Sequence, residues 1–464
     1  MSGRQIPWTW RLKAGPEGAG IPLFVIVRTF LGFLGFVYFV AFISFGIQAP
    51  GLIGSHGILP FADFLRAVRE QLGSTGYREV PTVLWLHPGD GALRMAWVGG
   101  ALAAIVAIFT RWQRTALAVC LLLWLSLCSV GQDFLSFQWD ILLSEAGFLA
   151  LFAGGSRVSV WLFRWLCFRL MFFSGVVKLA SHDAVWRNLT ALHFHYETQP
   201  LPTPLAWYLY QLPMTLQKAS TLFVFATELA VPFLFFAPRR WRHAGAWITI
   251  ALQLLILATG NYTFFNILTI GLLLWMFIEP DHTKAGPFVW GAAVLVGVTS
   301  GLLFLALFNV TMPPGGATVL RYVEPLHIVN SYGLFAVMTT ERQEIEVEGS
   351  DDSVNWRAYA FPYKPGDLRR APPIVAPHQP RLDWQMWFAA LGSYQQNRWF
   401  VNFMIRLLEG EPSVLKLLES NPFPKAPPKF IRARLYLYHF TKWGEKGWWT
   451  REDRGEYFPV VSLK

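Results

Sequence analysis

Nine stretches of this sequence are apolar over a length that can cross a bilayer, and no other feature limits the fold so tightly. They fall at about 23–47, 92–110, 115–131, 134–154, 158–180, 219–237, 243–259, 262–279 and 287–308. A hydrocarbon core about 30 Å thick takes roughly 20 helical residues to span, and backbone polar groups within it must be satisfied by the chain itself. The expected fold is a polytopic α-helical membrane protein with about nine transmembrane helices. Composition agrees: 15% of the 464 residues are charged, where soluble domains run near one quarter. The 22 tryptophans suit a chain that meets membrane–water interfaces. The first apolar run is too long for a signal-peptide core and no small-residue cleavage site follows it, so no cleavable leader is expected.

The formal charge is +10, but the basic residues sit in short clusters beside apolar runs, RWQR at 111–114 and RRWR at 239–242. That is a positive-inside pattern rather than a nucleic-acid face, and nucleic acid is not an expected partner. A cytoplasmic N-terminus with Arg4, Arg11 and Lys13 brings Arg111, Arg114, Arg157, Arg239, Arg240 and Arg242 to the same side. Nine crossings then carry the C-terminus across, to the endoplasmic reticulum lumen in a eukaryote or the periplasmic face of the inner membrane in a bacterium. Cys120, Cys128 and Cys167 all lie in apolar runs and no CxxC occurs, which excludes a disulfide scaffold, thiol redox catalysis and cysteine zinc sites.

Two far-side loops, 48–91 and 181–218, interrupt a transmembrane domain spanning 1–312. The first carries an amphipathic helix, FADFLRAVREQL; the second mixes aromatic rings, His and Pro like an interfacial or re-entrant element. After TMPPGG the composition changes, and 313–464 reads as a soluble α+β domain rich in strand. GLFAVM, EIEVEGS, WRAYAFPY and KFIRARLYLYHF read as strands, DWQMWFAAL and RWFVNFMIRLLEGEPSVLKLLES as helices. Sequons stand at Asn188, Asn261 and Asn309, all on the assigned outer side.

Within the apolar runs stand Arg28, Asp140, Glu145, Arg164, Arg169, Lys178 and Glu228. An ionised group at the bilayer centre costs about 2.5–3.5 kcal/mol on insertion scales, so each needs a partner or a wet cavity. Asp140 and Glu145 are five residues apart, roughly 140° around a helix, so each needs a partner of its own. Two readings stand: buried ion pairs that fix helix register, or a polar cavity in the bundle. Lys178, closely followed by His182 and Asp183, is either a snorkelling lysine or a desolvated base. His193, His195, Tyr196 and Glu197 form a second polar group, but histidines at i and i+2 point to different helix faces. Neither a metal site nor a cofactor is expected. Nucleophile-elbow, P-loop, dinucleotide and HExxH patterns are absent, and there is no internal repeat of the kind many transporters show.

Three stretches together resemble the lipase maturation factor family: SFQWDILLSEAGFLA, RLMFFSGVVKLASHDAVWRNLTALHFHYETQPLPTPLAWY, and YGLFAVMTTERQEIEVEGSDDSVNWRAYAFPYKPGDLRRAPPIVAPHQPRLDWQMWFAAL. The resemblance covers nearly the whole chain. It implies a multi-pass membrane protein with a lumenal C-terminal domain, which assists folding and assembly of secreted lipases and performs no catalysis itself. A second resemblance, of GVVKLASHDAVW to the lysine segment of vitamin K-dependent carboxylase and HTTM-type membrane proteins, implies an alternative. There Lys178 acts as base on a lipid or quinone-like substrate, with His182 and Asp183 beside it. On the first reading, membrane lipids and a secreted lipase-like client are the partners, and Arg381, Trp384, Trp387 and Phe388 form the client-binding stripe or pack the domain onto its own helices. On the second, an enclosed polar cavity joins Lys178, His182 and Asp140.

Overall fold

Apolar segments become helices here because lipid offers backbone groups no partner. In the computed structural model, which describes residues 23–463, seven helices are long and apolar enough to cross a membrane: Leu23–Gly46, Asp90–Phe109, Gln113–Val130, Arg157–Ala180, Met214–Phe236, Arg239–Thr259 and Pro287–Leu307. Arg4, Arg11 and Lys13 lie outside the described residues. The two remaining apolar stretches, 134–154 and 262–279, form only the short helices Gln138–Ala150 and Phe265–Met276. Thirteen residues rise about 20 Å, short of a hydrocarbon core. Protein rather than lipid surrounds the first of them: ten of its 13 residues are buried.

The helix Met214–Phe236 changes character midway. Regular α-helix runs to Phe225, a π turn follows at Ala226–Ala230, and Val231–Phe236 is 3₁₀. Pro232 explains the slip, because it has no N–H for the carbonyl four residues back, that of Glu228, and its ring crowds that carbonyl. Glu228 thus sits on the widened turn.

The loop 48–91 carries the expected amphipathic helix at Phe61–Leu72, with Phe61 and Leu65 buried. Beyond the last span, four antiparallel strands form a sheet in the order 357–358, 342–350, 430–440, 449–461. Arg342 pairs with Tyr438 and Ser350 with Phe430, which turns Ile345 and Val347 inward. The helix Arg398–Glu409 lays Trp399, Phe400, Phe403, Met404, Leu407 and Leu408 onto this core. Three expectations need correction. WRAYAFPY, 356–363, is strand only at 357–358. GLFAVM, 333–338, is no strand: its backbone is held by side chains of the helical region, Gly333 N–H by Gln138 (3.1 Å), Met338 N–H by Asp183 (2.6 Å) and the Phe335 carbonyl by Trp186 (2.9 Å). The polar segment 449–461 is a strand, because edge pairing against 430–440 needs backbone groups, not an apolar face. One hydrophobic cluster runs unbroken from the spans into the C-terminal domain.

Candidate functional site

Asp140 occupies the first turn of the short helix, where a carboxylate meets the positive end of the helix dipole. Its charge partner comes from 241 residues further on. Arg381, the first residue of the helix Arg381–Ala390, grips it with two parallel hydrogen bonds, Nη1 to Oδ2 at 2.9 Å and Nη2 to Oδ1 at 2.8 Å. Both side chains are sealed from solvent. The guanidinium also donates to the Phe134 carbonyl and lies 5.6 Å from the Phe45 ring centre. Around the pair, Gln48 joins the end of the first span to the C-terminal domain. It accepts from Arg381 N–H (2.8 Å) and donates to the Gln379 carbonyl (2.7 Å). Ser44 accepts from Gln379 N–H at 2.9 Å, and Trp139 donates to Gln379 Oε1 at 2.7 Å.

Glu145 pairs with Arg169, both fully buried. Its second oxygen accepts from Asn330 N–H (3.0 Å), Asn330 Nδ2 (3.1 Å) and the Tyr332 hydroxyl (2.7 Å). Arg169 returns a bond to the Asn330 carbonyl at 2.7 Å. Each acid has its own partner set, as the five-residue spacing requires, and each set reaches past residue 312. The arrangement is a docking seam: intramembrane acids fasten the segment after the last span. Two further clamps extend it. Arg342 donates to the carbonyls of Glu197 (2.7 Å) and Pro200 (2.9 Å) and pairs with Glu344 at 2.7 Å. Asn261 holds the Pro373 carbonyl (2.8 Å) and the Val375 N–H (2.6 Å). The sequon at Asn261 is therefore buried and fully hydrogen-bonded, while Asn188 and Asn309 are exposed.

Other expected positions separate. Arg28 is exposed near the start of its helix and joins no acid among the described residues, so it leaves the intramembrane cluster there. Arg164 hydrogen-bonds the Ile278 carbonyl (2.6 Å) and so satisfies the C-terminal end of the helix Phe265–Met276, where carbonyls lack intrahelical partners. Lys178 and Glu228 form a buried pair, Nζ to the two oxygens at 2.9 and 2.8 Å. They border a cavity that Asp140 and His182 do not line. His182 is exposed beside Arg187. Asp183 caps the turn Ala184–Arg187 through Val185 N–H at 2.8 Å, with its other oxygen on Met338 N–H. The residues of the lysine-base reading do not converge.

In the loop group, His193 stacks on Tyr210, with ring centres 4.9 Å apart, and Glu197 accepts from Phe440 N–H at 2.7 Å. Tyr196 is buried in a small aromatic cluster with Trp207, Phe440 and Trp449. His195 meets the Tyr262 hydroxyl at 3.1 Å. The client stripe is corrected as well: Arg381, Trp384 and Trp387 are buried, and only Phe388, 40% exposed, reaches the surface. Trp384 lies 4.9 Å from Trp139 and Trp387 donates to the Thr198 carbonyl at 2.7 Å, so the stripe faces the protein's own helices. Among the seam residues, Gln48, Asn261, Asn330, Arg342 and Gln379 escaped sequence reasoning. No signal pointed to Arg381 as the partner of Asp140, because the apolar runs themselves offer Arg28, Arg164, Arg169 and Lys178.

Two family models match the chain: a lipase maturation factor transmembrane domain at residues 26–284 and a lipase maturation factor C-terminal domain at 328–459. Lipase maturation factor 2 from Gallus gallus is 36% identical over 566 residues, covering 90% of this chain and 79% of that protein. The Homo sapiens protein of that name is 36% identical over 564 residues, at 90% and 80% coverage. Lipase maturation factor 1 from Bos taurus is 33% identical over 480 residues, at 89% and 85%. No solved structure matches the chain. Two matched domains meeting along a seam of buried charges, with relatives alike over most of their length, place the chain in the lipase maturation factor family.

Proposed function

We propose that this multi-pass membrane protein is a maturation factor that assists the folding of secreted client proteins such as lipases, and that it works as a platform rather than an enzyme. The names of its relatives support the client class. The observation that carries the platform reading is the Asp140–Arg381 seam, which fixes the C-terminal domain to one end of the helices. Arg111, Arg114, Arg157, Arg239, Arg240 and Arg242 lie at the opposite helix ends. With the positive-inside rule, that distribution supports a domain in the lumen of the endoplasmic reticulum, or in the periplasm of a bacterial host. Of the four stripe residues, Phe388 remains available to a client.

The test is complementation. In cells lacking their own factor, the chain is co-expressed with a secreted lipase, and lipase activity in the medium is measured against lipase protein. The expected result is a rise in specific activity, lost in Arg381→Met. No rise with a well-expressed, correctly inserted chain overturns the reading. A glycosylation tag fused after Lys464 reports orientation independently, and an unmodified tag in a eukaryotic secretory membrane contradicts it.

A further inference from the structure

The cavity beside Lys178 has a volume of about 490 Å³, within the small-ligand range of about 300–1,000 Å³. It lies among the helices Arg157–Ala180, Met214–Phe236 and Arg239–Thr259, with Leu334, Phe335 and Met338 closing one side. Its walls are mostly apolar. Leu216, Phe223 and Leu255 both line it and stand exposed on the outer faces of spanning helices. Its mouth therefore opens where acyl chains lie, and its natural visitor is a lipid entering sideways from the bilayer.

The polar groups of the wall choose the headgroup. All three Lys178 protons are committed, two to Glu228 and one to the Ser174 carbonyl at 3.1 Å. The pair is neutral overall, so no free cation awaits an anion. Tyr262 donates its hydroxyl proton to Gln199 Oε1 at 3.0 Å and so receives the Nε2 proton of His195. That leaves His195 Nδ1 a bare acceptor, buried and without a partner. Burial, and next the charge of Lys178, push the His195 pKa down to about 4, so the imidazole stays neutral at pH 7. Each Glu228 oxygen accepts from Lys178 alone and has a lone pair to spare. Gln253 Nε2 has only the Met171 thioether, 3.7 Å away. Acceptors thus outnumber donors, and a hydroxyl supplies the missing proton while accepting from Gln253.

We propose that this cavity binds a neutral, hydroxyl-bearing, single-chain lipid of the monoacylglycerol class, its chain toward Leu216 and Leu255 and its head beside Glu228 and His195. The site is independent of the client reading. The full chain in nanodiscs is photolabelled with a diazirine-bearing monoacylglycerol, and labelled peptides are mapped by mass spectrometry. Competitors are 1-monooleoylglycerol, oleate, and methyl oleate, which keeps the chain without a hydroxyl. The expected result is saturable labelling within 216–224, 252–256 and 334–338, with monooleoylglycerol competing at least tenfold better than the other two. Equal competition by methyl oleate or oleate overturns the headgroup assignment, and unsaturable labelling overturns the site.

Val224→Trp fills the interior and abolishes labelling; unchanged labelling in the folded variant refutes the location. If that variant fails to fold, Ser220→Trp at the rim decides by the same two outcomes. His195→Phe keeps the ring and removes the acceptor, so the preference for monooleoylglycerol over methyl oleate falls toward unity. A preference retained in that variant removes His195 from the proposal.

Discussion

Replacing Arg381 by Met removes the cation from Asp140 while keeping most of the side-chain volume. The carboxylate then has no side-chain donor, since both its oxygens bond to Arg381, and the Phe134 carbonyl loses a donor too. Breaking a buried pair on one side destabilises by about 3–5 kcal/mol. Where that energy holds the domain to the bundle, the docked-to-undocked ratio falls by about two to three and a half powers of ten. Replacing both partners behaves differently, because a well-packed apolar pair of similar volume is often neutral or stabilising. Asp140→Leu with Arg381→Met should recover most of what Arg381→Met alone loses.

The protein carries its own reporter. Cys120, Cys128 and Cys167 are all free and buried in the helices, so a thiol-reactive dye in detergent follows opening of the bundle on heating. Limited proteolysis, read by blotting either end, follows release of the domain. The expected order of stability is wild type, then the double variant, then Arg381→Met well below both. Coincident melting of Arg381→Met and wild type, with equal protease resistance, would refute the view that this pair holds the seam.

Three further outcomes follow from the geometry. Glu145→Gln keeps the shape but leaves Arg169 buried without a counter-charge, so it should lose about 3–5 kcal/mol; dye midpoints within a degree of wild type would contradict that. Acidification should loosen the seam. His195 and His378 are both pushed down to about 4 chiefly by burial, so their stabilising contribution is complete above about 6.5 and drains as pH falls toward 4. Asp383, pushed up to about 6 by burial, and Glu197, also raised by burial, regain stability over part of that range and offset part of the loss. Protease resistance should drop between pH 7 and 5, less steeply in His378→Asn; a flat wild-type profile would exclude the mechanism. Gly147→Ala drives a methyl group into the Tyr38 hydroxyl, an overpacking of about 1–3 kcal/mol. Tyr38→Phe should restore part of the lost midpoint, and no restoration would place the strain elsewhere.

What could be read from residues alone divides along physical lines. Seven spans and the amphipathic helix 61–72 were legible because apolar periodicity is local. The helix Gln138–Ala150 looked like a span because it is apolar, but its burial comes from protein, and composition does not distinguish the two solvents. The pairing of Glu145 with Arg169 was within reach, since both sit in neighbouring apolar runs. Asp140 with Arg381 was not, because nothing in sequence spacing joins residues 241 apart. The same gap made Arg381, Trp384 and Trp387 resemble a client surface: an apolar stripe beside an arginine reads alike whether it meets a stranger or its own chain.

That separation also orders assembly. When the spans have been made and residues 381–464 have not, Asp140 has no cation, at about 2.5–3.5 kcal/mol in the membrane interior. Its helix is too short to span alone. The first half of the chain is therefore incomplete until residues 327–390 arrive, and the transmembrane region should not form an independently stable unit. Ending the chain after Met312 tests this. Cys128, buried close to Asp140, should become reactive toward a membrane-permeant thiol reagent, and the product should melt without a cooperative transition. Supplying residues 313–464 as a separate chain should restore protection if docking alone is required. A truncated chain with fully protected thiols and a sharp transition would show that the helices hold the acid unaided, and the seam would then be an attachment to a finished bundle rather than its last structural element.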